Sequence, residues 1–409
     1  MSFDVEQVRK DFPIFEREVN GHPLVYLDSA NTSQKPVQVL DVMRAHQERY
    51  NGNVSRSVHT LGTESTEAYE GARARIATFI GAASPDEIVF TKNSTEALNL
   101  VAHSAGQHLR LGPGDEIVIS EMEHHSNIVP WQLLCERTGA TLRWFGITDE
   151  GRLDESQLDS LITERTKIVS LVHMSNVLGT INDFSDISRR TREVGALLVL
   201  DCSQSVPHLP INVRELGADL IAFTGHKMLG PTGIGVLWGR FDLLEQLPPF
   251  LGGGSMIETV TMTGTTYAAP PARFEAGTPP ITEAIGLGAA VDYLTRLGME
   301  AIHEHEQAIT AYALDALSAV PDVRIFGPAT PVGRGGTVSF GVDGVHPHDV
   351  GQILDALGVE VRVGHHCARP VCSRFSVPAM TRASFYLYTT TDEIDALARG
   401  LDQVRKVFG

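Results

Sequence analysis

Thr224-Gly225-His226-Lys227 follows directly on the apolar run Leu220-Ile221-Ala222-Phe223, and the lysine lies 26 residues beyond Asp201. That aspartate closes another apolar run, Ala196-Leu197-Leu198-Val199-Leu200, and is itself followed by Cys202-Ser203-Gln204. Short apolar runs ending in polar residues read as buried strands whose carboxyl ends face a ligand. Gly230-Pro231-Thr232-Gly233 comes next, a turn-forming stretch before Gly235 and Val236. A carboxylate at one strand end and a lysine at the next suit pyridoxal phosphate (PLP). The lysine supplies the covalent link, and the aspartate keeps the pyridine nitrogen protonated so that the ring accepts electrons. The alternative, a solvated turn lysine, leaves the paired aspartate and the flanking glycines without a purpose.

Working outward, apolar runs alternate with helical patterns, the signature of an α/β fold with a mostly parallel sheet. Strands are predicted at Glu87–Phe90, Glu116–Ser120, Thr141–Phe145, Lys167–Val172, Leu197–Leu200 and Leu220–Phe223. Helices are predicted at Thr95–His103, Ile128–Thr138 and Ile187–Val194. The stretch from Pro248 to Pro280 is rich in Gly and Pro and reads as a loop with little regular structure. A long helix from Thr282 to Leu297 then joins two lobes. The remainder predicts a smaller α+β unit, with strands at Val323–Phe326, Thr337–Val342 and Val359–Val363, a helix over His348–Leu357, a strand-like Phe385–Tyr388 and a last helix over Thr391–Val407. The expected division is a large PLP-binding domain over residues 15–292 and a small domain of 1–14 plus 293–409.

The chain has 409 residues, 42% of them hydrophobic and 20% charged, which is ample for large cores. A formal charge of -17 argues against a broad nucleic-acid or anionic-membrane surface. The first ten residues lack the apolar centre of a signal peptide, and no run reaches the ~18 apolar residues of a membrane span. Four cysteines are too few for a disulfide framework, so a reducing, cytoplasmic setting is expected.

Three further stretches carry chemistry. Thr91-Lys92-Asn93-Ser94-Thr95-Glu96 reads as a strand turning into a capped helix, whose free N–H groups and the Ser94 and Thr95 hydroxyls could hold a phosphate. A plain helix cap would look the same. Glu123-His124-His125 places adjacent imidazoles on opposite faces of the chain, a poor chelate. His124 is better used stacked on an aromatic ring and moving protons near neutral pH, while His125 reads as structural. Finally, Arg362-Val363-Gly364-His365-His366-Cys367-Ala368-Arg369 surrounds a cysteine with arginines and histidines, which predicts a lowered thiol pKa and a nucleophile. Arg382 offers a bidentate fork for a substrate carboxylate. Cys135 and Cys202 read as packing, and Cys372 stays open.

Together these motifs resemble the fold-type I PLP enzymes of the class-V aminotransferase family, and within them group II cysteine desulfurases of the SufS kind. The resemblance runs from Tyr26-Leu27-Asp28-Ser29-Ala30 to the last helix and includes Arg273-Phe274-Glu275-Ala276-Gly277-Thr278-Pro279. It implies PLP as cofactor, Lys227 as its covalent anchor, Asp201 on the pyridine nitrogen, Gln204 on the ring hydroxyl and His124 over the ring. It puts Ser94, Thr95, Thr224 and His226 at the phosphate, where the family often has Ser for Thr224. Gly277 and Thr278 match a segment reaching the phosphate of a neighbouring subunit, which implies a homodimer. Ala30, Asn176, Arg362 and Arg382 fall at substrate positions, with Asn176 also near the ring oxygen. The implied reaction takes L-cysteine to L-alanine and leaves the sulfur as a persulfide on Cys367, for delivery to an acceptor protein in iron–sulfur cluster assembly. L-selenocysteine is a further implied substrate. The acceptor could be a small zinc protein of the SufU kind, with His348, 19 residues before Cys367, capturing its zinc. The competing reading of His348 is the cap of a helix starting near Asp349. No metal of the chain's own is implied. Rival functions are a selenocysteine lyase, a C–S lyase, or a catalytically silent binding protein on the same fold.

Overall fold

In the strands Leu197–Asp201 and Leu220–Thr224, successive side chains enter different cores. Leu198, Leu200, Ile221 and Phe223 pack with one hydrophobic cluster, while Val199, Leu220 and Ala222 pack with another. A strand buried on both faces must be apolar throughout, so these segments read as runs rather than as alternations. The computed structural model describes residues 3–55 and 57–408.

The sheet has seven strands in the order Ile88–Thr91, Gly235–Gly239, Leu220–Thr224, Leu197–Asp201, Thr166–Val172, Glu116–Ser120 and Thr141–Phe145. All neighbouring pairs are parallel except those made by Gly235–Gly239, which runs against both of its neighbours. Val172 is in register with Asp201, Asp201 with Ala222, and Gly235 with both Thr224 and Thr91. The carboxyl ends of the six parallel strands therefore share one edge with Gly235. A Cβ on Gly235 would come within 2.5 Å of the Asn93 backbone, so only glycine lets the strand start pass beneath that loop. Helix Ile281–Leu297 lies on helices Val37–Arg49 and Thr60–Phe79, ends at Gly298, and hands over to helix Met299–Ser318.

The C-terminal part forms a four-stranded antiparallel sheet in the order Val323–Phe326, Thr337–Val342, Met380–Ser384 and Arg362–Gly364. Its core, with Leu314, Phe340, Ala383 and Leu401, is separate from those of the large sheet. Two expectations need correction. The strand is Met380–Ser384, and Phe385–Tyr388 is a turn whose aromatics are buried by packing rather than by a sheet. The segment expected over 359–363 is two short strands in different sheets: Val359–Glu360 pairs with Val25–Tyr26, and Arg362–Gly364 joins the four-stranded sheet. The loop from Pro248 to Pro280 also contains a hairpin, Ile257–Thr261 with Gly264–Tyr267. Its threonine-rich strands are almost wholly exposed, so no apolar alternation announced them.

Candidate active site

At the shared strand edge lies a cavity of about 210 Å³ lined by Ser94, Thr95, His124, Asn176, Asp201, Gln204, Thr224, His226 and Lys227. Nine of the expected cofactor residues thus come from five strand ends to one place. Lys227 is the one amine lining it among the described residues. Removal from water, reinforced by the nearby Arg382 cation, lowers its pKa to about 8 even though Asp201 and Cys367 oppose the shift. A useful share of neutral amine therefore exists near neutral pH.

Asp201 is buried, and the Ser203 amide (3.0 Å) and hydroxyl (2.6 Å) both donate to its Oδ1, which leaves Oδ2 for a partner in the cavity. The Gln204 amide donates from Nε2 to the Ala30 carbonyl at 2.7 Å. Its Oε1, Thr224 Oγ1 and Asn176 Oδ1 are buried without any partner. Three orphaned acceptors around one cavity would each carry a desolvation cost if nothing bound there.

The helix Ser94–His108 is capped by Asn93, whose Oδ1 accepts from the Glu96 amide at 2.9 Å. The reciprocal contact is displaced by one residue, because Glu96 accepts from the Lys92 amide. Thr95 and Ser126 hydroxyls lie 2.7 Å apart, and Ser126 lines the cavity too. Ser126, Ser203 and Asn31 were not expected there; small polar residues in loops carry no sequence pattern of their own.

His124 needs a correction. Burial first, then positive charge at Lys227, at His125 whenever it is protonated, and at Arg382, push its pKa to about 3, so it does not titrate near neutrality as expected. Its Nδ1 accepts from the Ser126 amide at 3.0 Å, which fixes the neutral ring with its proton on Nε2. The ring is suited to stacking and to donating one hydrogen bond. His226 is likewise held neutral, at about 4, mainly by burial.

Cys367 is exposed, and lies near enough to Lys227 and Arg382 that negative charge on its sulfur would favour both cations. His366 (φ 50) and Cys367 (φ 54) are both left-handed, following Gly364 at φ 122. Two such residues in succession are a costly backbone state, kept where surroundings impose it. The expected ring of cations around the thiol is incomplete. Burial holds His366 at about 3, and its Nε2–H donates to the Met380 carbonyl, so it brings no charge to the sulfur.

Arg382 is fully buried, donating to the Asn176 carbonyl at 2.9 Å and to Asp28 Oδ1 at 3.1 Å, with Nε left unpartnered. Arg362 is more open and reaches Asp28 Oδ2 at 3.9 Å. Asp28, to which no role was assigned from sequence, thus holds both arginines in place. Ala30 is buried beside them, its amide donating to Ser384 Oγ. Gly277 and Thr278 are exposed and do not line this protomer's cavity.

A family model for class-V aminotransferases matches residues 25–397. A probable cysteine desulfurase of Streptomyces coelicolor is 62% identical, over 99% of this chain and 98% of that protein. The chain belongs to the cysteine desulfurases of the class-V aminotransferase family. The Escherichia coli cysteine desulfurase CsdA, in an S-sulfonic acid form, superposes with a TM-score of 0.92 at 35% identity, covering all of both chains. A C-DES variant with glycine covalently linked to its PLP cofactor superposes with a TM-score of 0.83 at 25% identity, covering 98% of this chain and 99% of that one. The cavity fits the same group: it offers an amine, a carboxylate with a free oxygen, a flat neutral imidazole, orphaned polar atoms and a capped helix N-terminus.

Proposed function

We propose that this chain converts L-cysteine to L-alanine and retains the sulfur as a persulfide on Cys367. The observation that carries the reading is an exposed cysteine on a strained loop, near the one amine that lines, among the described residues, a cavity whose side chains suit PLP. PLP would be held by Lys227 through its amine, Asp201 at the pyridine nitrogen, Gln204 and Asn176 at the ring oxygen, and His124 on the ring face. Ser94, Thr95, Thr224 and His226 would take the phosphate. When bound, PLP supplies an electron sink for a carbanion at the substrate's α-carbon.

The chain's own residues do the rest. Arg382 and the more exposed Arg362 hold the substrate carboxylate, and Asp28 keeps their forks aimed. Neutral Lys227 takes the α-proton, the role for which its lowered pKa fits it. Cys367 Sγ, as thiolate, bonds to the substrate sulfur while the Cβ–S bond breaks. The proton originally on the substrate thiol ends on Cβ, so cysteine plus thiolate balances alanine plus persulfide anion. Assaying alanine against pyruvate, with protein-bound persulfide in the same sample, tests this: pyruvate without persulfide would show a C–S lyase instead.

The SufS grade is part of this proposal, supported by the short Gly-His-His-Cys loop, as is delivery of sulfur to an acceptor for iron–sulfur assembly. The division into residues 15–292 and 1–14 plus 293–409 is supported for its C-terminal part by the separate core there, while Val8 and Phe12 pack with the large-sheet cluster; residues 1, 2, 56 and 409 lie outside the described residues. Pairing of Val25–Tyr26 with Val359–Glu360 ties the two parts together. No helix among the described residues is long and apolar enough to cross a membrane.

A homodimer is part of this reading, supported by the exposure of Gly277 and Thr278, which would be free to complete a neighbour's phosphate site. Sedimentation of the active enzyme should give twice the chain mass, and a fully active monomer would end that reading. His348 is exposed, and the cap of helix Pro347–Ala356 is His346, whose Nδ1 accepts from the His348 amide at 3.2 Å. The capping alternative for His348 is therefore overturned. Its side chain is free on a helix that packs against the Arg362–Gly364 strand leading to Cys367. His348→Ala should keep basal desulfurase activity and lose stimulation by a zinc-containing acceptor; equal stimulation of both proteins would remove zinc capture from the reading.

A further inference from the structure

His125 grips the backbone at the cysteine and two residues beyond it. Its amide donates to the Cys367 carbonyl at 2.7 Å, and its ring Nε2 accepts from the Arg369 amide at 3.1 Å. A third tie comes from the Asn176 Nδ2, which donates to the His366 carbonyl at 2.7 Å. The two contacted carbonyls belong to the two left-handed residues, His366 and Cys367. A loop in so costly a conformation stays there only while outside contacts hold it. Two of the three come from one residue, next in sequence to the ring-stacking His124.

We propose that His125 is a positioning residue for Cys367, clamping the nucleophile's loop in the reactive conformation through a neutral imidazole that acts as a hydrogen-bond acceptor. The proposal rests on the desulfurase reading and deepens it. Because Nε2 accepts, the ring's proton sits on Nδ1, and a second proton would turn the acceptor into a donor facing another donor. The charged or titratable groups facing the ring are His365 and Arg369 from the cysteine loop and His124 from its own segment. The cation Arg369 disfavours a charged imidazole, and burial, the largest influence, works the same way. The clamp is therefore closed at neutral pH and opens as pH falls below the ordinary imidazole range.

The test compares PLP-loaded wild type, His125→Ala and His125→Gln. Glutamine places an amide oxygen near the position of Nε2 and does not titrate. His125→Ala should lower kcat for alanine formation by about ten- to a hundred-fold, since small misplacements of a reacting group cost that much. KM for cysteine should stay close to wild type, because Arg382 is untouched, and His125→Gln should restore most of kcat. Amide hydrogen exchange gives a readout free of turnover. The peptide spanning Cys367–Arg369 should exchange about ten-fold faster in His125→Ala, the effect of one lost hydrogen bond, and at nearly the wild-type rate in His125→Gln. The ratio of wild-type to His125→Gln exchange should rise as pH falls. Wild-type kcat and protection in His125→Ala would overturn the proposal, as would a His125→Gln enzyme as impaired as the alanine variant. Wild type that makes no alanine would instead overturn the desulfurase reading, while the exchange rates would still judge the clamp.

Discussion

Lys227→Ala should abolish alanine formation from cysteine, lowering the rate by about 10⁴-fold or more, because one side chain serves as both covalent anchor and α-proton acceptor. No second amine lines the cavity among the described residues. Lys35 is also recessed and shifted down to about 8 by burial, but its ammonium donates to the His226 carbonyl at 3.2 Å and to the Ser33 carbonyl, outside the cavity lining. It cannot take over without breaking those contacts. A second measurement uses pH. Only the neutral amine is nucleophilic, and burial lowers the Lys227 pKa, so neutral amine increases as pH rises through about 8. Reconstitution of wild-type apoprotein with PLP should therefore accelerate over that range and level off above it, read as growth of visible absorbance. Lys227→Ala should show no such phase. Wild-type alanine production by the variant would show that the anchor had been misassigned.

How much of this was legible beforehand depends on where each signal resides. Strands with both faces buried announce themselves as unbroken apolar runs, and the polar residues at their ends then fall at one edge by topology alone. That logic located Asp201, Lys227 and His124 together, whereas Asn176 came from the family resemblance alone. It could not show that Asp28 holds Arg382 and Arg362, because that contact joins the chain's beginning to its end. The partners of His125 were hidden for a related reason. Its two bonds go to the backbone of a distant loop, and a backbone partner leaves no residue type in the sequence to suggest it. The hairpin within Pro248–Pro280 escaped because exposure on both faces erases the period of two. The charge states of His124 and His366 were misjudged because desolvation is a property of packing. Counting basic residues near Cys367 gave His366 a charge that its burial removes.

Cys367→Ser should retain PLP and fold normally yet lose persulfide, with alanine formation falling by about 10³-fold or more. A serine hydroxyl fills nearly the same space on the loop, so the contacts from His125 and Asn176, which go to backbone groups, survive the change. The loss is then chemical. Oxygen is scarcely ionised at neutral pH and is a weak nucleophile toward divalent sulfur, whereas a thiolate is a strong one. The remaining cysteines cannot substitute. Cys372 is buried in helix Arg369–Arg374 with its thiol pushed up by burial. Cys202 is buried beside Asp201, and burial raises it well above the ordinary thiol range. Cys135 is half-buried and shifted upward for the same reason. Mass spectrometry after incubation with cysteine should find added sulfur on Cys367 in wild type and on no cysteine of the variant. A sulfur adduct on Cys372 at the wild-type level would move the nucleophile there and require the Cys367 loop, clamped as it is, to have another purpose.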